Sequence, residues 1–244
     1  MQSEGSIFYP EKDLLGKPSD LGMSYEDITF RMADALKLHG WFVPGSRRET
    51  MLWCHGNAGN IGDRLDLLKL LHDRIDVNIF IFDYRGYGKS QGRPSEDGTY
   101  RDAHGAFDYL RSRPDIEADK IVAFGQSLGG AIAVDMACRN KFMGLILEST
   151  FTSLVDIFEM PTKSFGMKYD SYSKIKRVHV PLLVLHGDKD DVVPFESGYT
   201  LFKAAHEPKK FCAIKGAMHN DTYIVGGESY FAAIDEFIKG LKPA

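Results

Sequence analysis

The sequence predicts an α/β chain: a mostly parallel central sheet, helices on both faces and a short cap. Three observations carry this. Short apolar runs alternate with amphipathic stretches, the runs are almost wholly apolar, and a Gly-x-Ser-x-Gly turn stands where one run gives way to a helix. With 244 residues, 43% of them hydrophobic, a single domain spanning 1–244 is expected.

Tyr25 to Met32 alternates as a strand, Ala33-Asp34 reads as a turn, and Leu36 to Leu38 with Trp41 to Val43 forms the returning strand. Met51 to Cys54 is a short buried strand, followed by helical spacing over Leu65 to Leu71. Ile79 to Phe82 and the amphipathic stretch Tyr100 to Leu110 repeat the unit. Ile121 to Phe124 leads into Gly125-Gln-Ser127-Leu-Gly129 and then a helix through Gly130 to Val134, Met136 and Ala137. Strands at Leu145 to Leu147, Leu182 to Leu185 and Phe211 to Ile214 follow, with helices at Phe195 to Ala205 and Ser229 to Ile238. The stretch 151–179 has no clean period. Coming after a strand end, where open α/β sheets bind ligands, it reads as the cap.

A net charge of -4 gives no electrostatic reason to expect nucleic acid or an anionic membrane as partner. No apolar run reaches the roughly 18–20 residues that cross a bilayer, and Met1 to Pro10 lacks the layout of a signal peptide. Cys54, Cys138 and Cys212 are an odd, scattered set that fits buried thiols in a reducing compartment. The histidines lack metal-type spacing, so neither a metal nor another cofactor is expected. A cytoplasmic protein acting on a small molecule is the resulting expectation. Gly88-Lys-Ser90 resembles the end of a phosphate loop, but Asp83 stands where that loop needs glycine. Gly86-Tyr-Gly88 begins a dinucleotide fingerprint that Gln91 breaks.

A serine held between strand and helix is lifted above the sheet, and glycines on either side relieve the crowding there. Its hydroxyl needs a base, and the base needs a carboxylate to fix its tautomer. On sheets bearing such an elbow the partners follow in the order serine, acid, histidine. Asp188, Asp190 and Asp191 compete for the acid, and spacing alone does not choose among them. His219 follows a strand end, whereas His206 reads as an exposed helix residue, so His219 is the base. His55-Gly-Asn-Ala-Gly59 closes a strand with glycines that let amides turn inward, so the amides of Asn57 and Leu128 are the expected oxyanion donors. Cys54 and His55 should face opposite ways and cannot cooperate.

Four blocks in order resemble the α/β-hydrolase superfamily, and within it the Bem46 branch with its α/β-hydrolase-domain relatives. They are His55 to Arg64, Asp83 to Ser90, Gly125 to Gly130 and Gly216 to Thr222. The resemblance implies the α/β-hydrolase fold, Ser127 as nucleophile, His219 as base and, at the fifth position of His186-Gly-x-x-Asp-x-x-Val-Pro, Asp190 as acid. It also implies that Asp83 and Arg85 shape a loop beside the active-site mouth. The expected activity is cleavage of carboxylic esters or thioesters. A serine aminopeptidase or amidase, and a binding protein on a hydrolase scaffold, are the alternatives. Phe151, Met160, Phe165 and Tyr223 are candidate pocket walls. The compact cap is unlike the large lids of lipases. Members of the branch often carry a hydrophobic anchor before the first strand, and no such run precedes Ile7.

Overall fold

The structure, a computed structural model, describes residues 7–157 and 168–244. Eight strands form the main sheet: β2 (Glu26–Arg31), β3 (Lys37–Val43), β4 (Thr50–Cys54), β6 (Asn78–Phe82), β7 (Ile121–Gln126), β8 (Gly144–Glu148), β9 (Leu182–Gly187) and β10 (Lys209–Ile214). Their spatial order is β10-β9-β8-β7-β4-β6-β3-β2. The pairs β2/β3 and β3/β6 are antiparallel and the rest parallel. The mostly parallel sheet expected from the sequence is therefore present. Apart from this sheet, β1 (Tyr9–Pro10) and β5 (Ala58–Gly59) form a small parallel ladder that no local pattern announces.

The apolar runs are explained by two cores, one on each face of the sheet. Leu52, Phe80, Ala123, Leu145 and Val184 pack on one side with α2 (Glu96–Ser112), α3 (Leu128–Arg139) and α6 (Phe195–Ala204). Their chain neighbours Met51, Ile79, Val122, Ile146 and Leu183 pack on the other with α1 (Leu65–Ile75) and α7 (Thr222–Gly240). A strand buried on both faces has no polar positions to alternate with. Edge strand β2 buries only Ile28 and Phe30, so its sequence does alternate.

Three boundaries differ from expectation. The turn before β3 includes Leu36, because Ala35 takes φ 67 and Met32 donates its amide to the Leu36 carbonyl (2.8 Å). Ser95 accepts the Gly98 amide as an N-cap, so α2 begins at Glu96 rather than Tyr100. The helix α7 starts at Thr222 rather than Ser229, since Gly227 (φ 46) kinks the run instead of ending it. His206 lies past α6, not within it, and its imidazole meets the Lys176 carbonyl at 2.8 Å.

The stretch 151–179 carries α4 (Leu154–Ile157) and α5 (Ser171–Ile175). Its described ends are tied together, the Leu154 amide donating to the Lys168 carbonyl at 2.9 Å and the Tyr172 amide to Thr152 at 3.0 Å. The returning limb lies along the α2 and α3 layer, where Tyr169 meets Thr99 (2.7 Å) and Lys174 pairs with Asp135 (2.9 Å). Among the described residues, no helix is long and apolar enough to cross a membrane.

Candidate active site

The strand β7 runs into Ser127, which takes φ 51 and ψ -118 before α3 begins at Leu128. A non-glycine residue there is strained by about 1–3 kcal/mol, and its surroundings must hold it in place. They do so through three hydrogen bonds. The Ser127 amide donates to the Glu148 carbonyl (2.9 Å), and the Ser127 carbonyl accepts from the Gly130 amide (2.9 Å) and the Thr150 hydroxyl (2.7 Å). The flanking glycines are required by contact. A Cβ at Gly125 would lie 2.4 Å from the Gly129 oxygen, and one at Gly129 would lie 2.0 Å from the Cys54 oxygen.

His219 follows β10, and its Nε2 lies 3.0 Å from Ser127 Oγ. Its Nδ1 lies 2.9 and 3.0 Å from the two carboxylate oxygens of Asp190, which follows β9. A carboxylate can only accept, so Nδ1 carries the ring hydrogen and Nε2 presents a lone pair to the hydroxyl. Asp190 also takes the Val192 (3.0 Å) and Val193 (2.8 Å) amides and stands 3.2 Å from His186 Nε2. Burial pushes the Asp190 carboxyl up, but the hydrogen bonds from His186 and His219 outweigh it and hold the group well below the usual carboxylate range. The neighbouring aspartates are engaged elsewhere. Asp188 accepts the Gly216 amide at 2.6 Å, and Asp191 reaches only the His219 amide, at 3.5 Å. The arrangement can move a proton from a hydroxyl to an imidazole and stabilise the imidazolium formed.

Beyond β4 the loop 55–60 abuts the elbow, since a Cβ on Gly56 would lie 3.7 Å from that of Ser127. Burial, and then the Arg64 cation, push the buried His55 imidazole down to about 3. It is therefore neutral, and its Nδ1–H donates to the Gly56 carbonyl at 2.7 Å. The Asn57 side chain donates to the Ile7 carbonyl (2.6 Å) and accepts the Tyr87 hydroxyl (2.9 Å), which pins the loop. The Leu128 amide, first in α3, has no intrahelical acceptor. Burial pushes the Cys54 thiol up to about 12, so it is no thiolate. Asp83 accepts the Ile61 amide (3.0 Å), and Arg85 is clamped to Asp102 (2.8 Å) and Asp34 (3.1 Å).

Two groups against this row escaped the sequence reading. His186, fully buried, is one. The other is Glu148 at the end of β8, whose carboxylate accepts Gln126 Nε2 (3.0 Å), the Tyr230 hydroxyl (2.7 Å) and the Thr222 hydroxyl. Burial pushes this carboxyl up, and the three donors only partly offset it. A lone glutamate closing an apolar strand was the available signal. Of the candidate pocket walls, Phe151 is 2% exposed within the α2–α3–α6 core and offers no surface to a substrate. Tyr223 is half-buried in the first turn of α7. Met160 and Phe165 lie outside the described residues.

Residues 45–169 match the family model Hydrolase_4, described as serine aminopeptidase, S33. The chain is 36% identical over 241 residues to protein bem46 of Schizosaccharomyces pombe, covering 91% of this chain and 79% of that one. To the alpha/beta hydrolase domain-containing protein WAV2 of Arabidopsis thaliana it is 35% identical over 253 residues, covering 93% and 82%. Its fold superimposes on the Pyrococcus furiosus esterase Pf2001 with a TM-score of 0.83 at 18% identity, over 96% of this chain and 99% of that one. A puromycin-hydrolyzing peptidase of Mycobacterium tuberculosis shares the fold with a TM-score of 0.74 at 17% identity, over 91% of this chain and 40% of that one.

Proposed function

The chain belongs to the Hydrolase_4 family of the α/β-hydrolase superfamily, and from that premise we propose that it is a serine hydrolase of carboxylic esters or thioesters. The observation that carries this is the 3.0 Å approach of His219 Nε2 to Ser127 Oγ, with Nδ1 held by Asp190. His219 takes the hydroxyl proton as Oγ attacks the acyl carbon. The amides of Asn57 and Leu128 receive the oxyanion, each worth about 10²–10³ in rate by analogy with other such donors. The imidazolium returns its proton to the departing alcohol or thiol. Water, deprotonated by the same imidazole, then releases the acid from the acyl-enzyme.

Residues 151–179 are the proposed cap. Replacing Ser127 by Ala should reduce hydrolysis of p-nitrophenyl acetate by roughly 10⁴–10⁶-fold and abolish labelling by a fluorophosphonate probe. Undiminished turnover in that variant would sink the reading. Labelling also separates an enzyme from a binding protein on the same scaffold. The family's description favours a second reading, an aminopeptidase or amidase using the same three residues. An amine must be protonated as it leaves whereas an activated phenolate need not be, so paired ester and anilide substrates with one acyl group decide between the two.

A further inference from the structure

The buried or half-buried arginines among the described residues are Arg47, Arg64, Arg85 and Arg113. Three of them meet a carboxylate within hydrogen-bond reach: Arg47 with Asp235 (2.9 Å), Arg85 with Asp102 (2.8 Å) and Arg113 with Glu26 (2.7 Å). Arg64 differs. Among the described residues its guanidinium donates only to the Ala58 carbonyl (2.5 Å), and its Nε is buried without a partner. The adjacent carboxylate, Asp63, is occupied by the Asn60 amide at 2.8 Å. Burial lowers the affinity of Arg64 for its proton, and the more distant charges of Asp63 and Asp83 do not restore it. A half-buried guanidinium with an orphaned N–H and no carboxylate bonded to it is costly and has donors left for an anion.

Its place in the fold says where that anion would come from. Ala58 lies two residues after Gly56, which abuts Ser127. Two residues span at most about 7 Å, which puts the guanidinium on the order of 10 Å from the nucleophile. Tyr223, four residues past His219, lies near enough that the Arg64 cation offsets part of the rise that burial gives its phenol. Arg64 thus lies against the loop after β4 and within charge reach of Tyr223 in the first turn of α7.

We propose that Arg64 anchors an anionic oxygen group, a carboxylate or a phosphate, carried by the substrate within about 10 Å of the scissile bond. This rests on the hydrolase reading and adds a substrate class to it. Arginine suits the role because its planar fork binds carboxylate or phosphate through two parallel hydrogen bonds.

The test uses pairs of substrates that differ in one charged group. Mono-p-nitrophenyl glutarate against its methyl ester places a carboxylate on the acyl side. S-acetyl-4-mercaptobutyl phosphate against S-acetyl-4-mercaptobutanol places a phosphate on the leaving side. The wild type should prefer the charged member of at least one pair, and the responding pair identifies the group. Arg64→Ala should reduce that preference by roughly 10–100-fold, and Arg64→Lys should keep part of it. Equal losses on both members of each pair would show that Arg64 merely holds the Ala58 loop, and would overturn the proposal. So would a wild type with no preference for either charged member. Thermal shifts of Ser127→Ala give a readout that needs no turnover. The preferred charged ester should stabilise this variant more than its neutral twin, and the double variant with Arg64→Ala should lose the difference. Loss of all hydrolysis in the wild type would count against the hydrolase reading, while equal stabilisation by both twins would count against the anion site.

Discussion

Asp190 is fixed from four directions, by His219, His186 and the amides of Val192 and Val193. Because its folded-state carboxyl is depressed, it binds its proton less readily folded than unfolded. It therefore contributes stability above the unfolded value near pH 4 and loses that contribution as pH falls through the depressed one. The melting-temperature gap between the wild type and Asp190→Asn should be widest above about pH 4 and narrow steadily as pH falls below it, as read by calorimetry. On the proposed mechanism, the same variant should lose roughly 10⁴-fold in kcat, because asparagine can hold the wrong tautomer of His219. Ser127 and His219 were legible from local signals, a glycine-flanked serine and a histidine past a strand end. Asp190 was not separable from Asp188 and Asp191 by spacing, because only the folded turn shows which side chain faces the imidazole.

Two contacts between elements shape the elbow. The first turn of α3 crosses so close to β4 and β7 that Gly129→Ala should cost about 1–3 kcal/mol or more in urea denaturation, since the clash is with backbone that cannot rotate away. The second contact is the Glu148 network, which ties β7 through Gln126 and α7 through Thr222 and Tyr230 to the end of β8. A buried carboxyl with a raised proton affinity opposes folding more as pH rises above its unfolded value. Glu148→Gln should therefore flatten the loss of melting temperature as pH rises above about 4.5. Glu148→Ala, which leaves three buried donors unpaired, should destabilise by about 3 kcal/mol or more. The start of α7 escaped the sequence reading for a related reason. Gly226-Gly227 looks like a stop, yet the helix continues past the kink because Thr222 and Tyr230 both anchor to one carboxylate.

Every central strand serves two cores, alternate residues facing α2, α3 and α6 on one side and α1 and α7 on the other. Neither face can lose its packing without exposing the other side of the same strands. Both tryptophans, Trp41 and Trp53, lie on the α1–α7 face, whereas helical ellipticity reports on both faces. Urea unfolding followed by tryptophan fluorescence and by circular dichroism should give coincident transitions, as one cooperative domain requires. Two separated midpoints would divide the chain into independent units. Ile146→Ala, in a fully buried site on β8, should lower that common midpoint by an amount equivalent to about 2–5 kcal/mol.

By itself the sequence determined the order of strands and helices and the position of the serine turn, because period, apolar runs and glycine spacing are local properties of the chain. It also narrowed the candidate acid to one loop and the candidate base to one histidine. Only the tertiary structure decided which aspartate meets His219, that Glu148 and His186 stand behind the row, that Phe151 is core, and that Arg64 keeps an unpartnered Nε with no carboxylate bonded to it. Each of those depends on residues far apart in the chain meeting at the ends of parallel strands, and no local pattern encodes such distances.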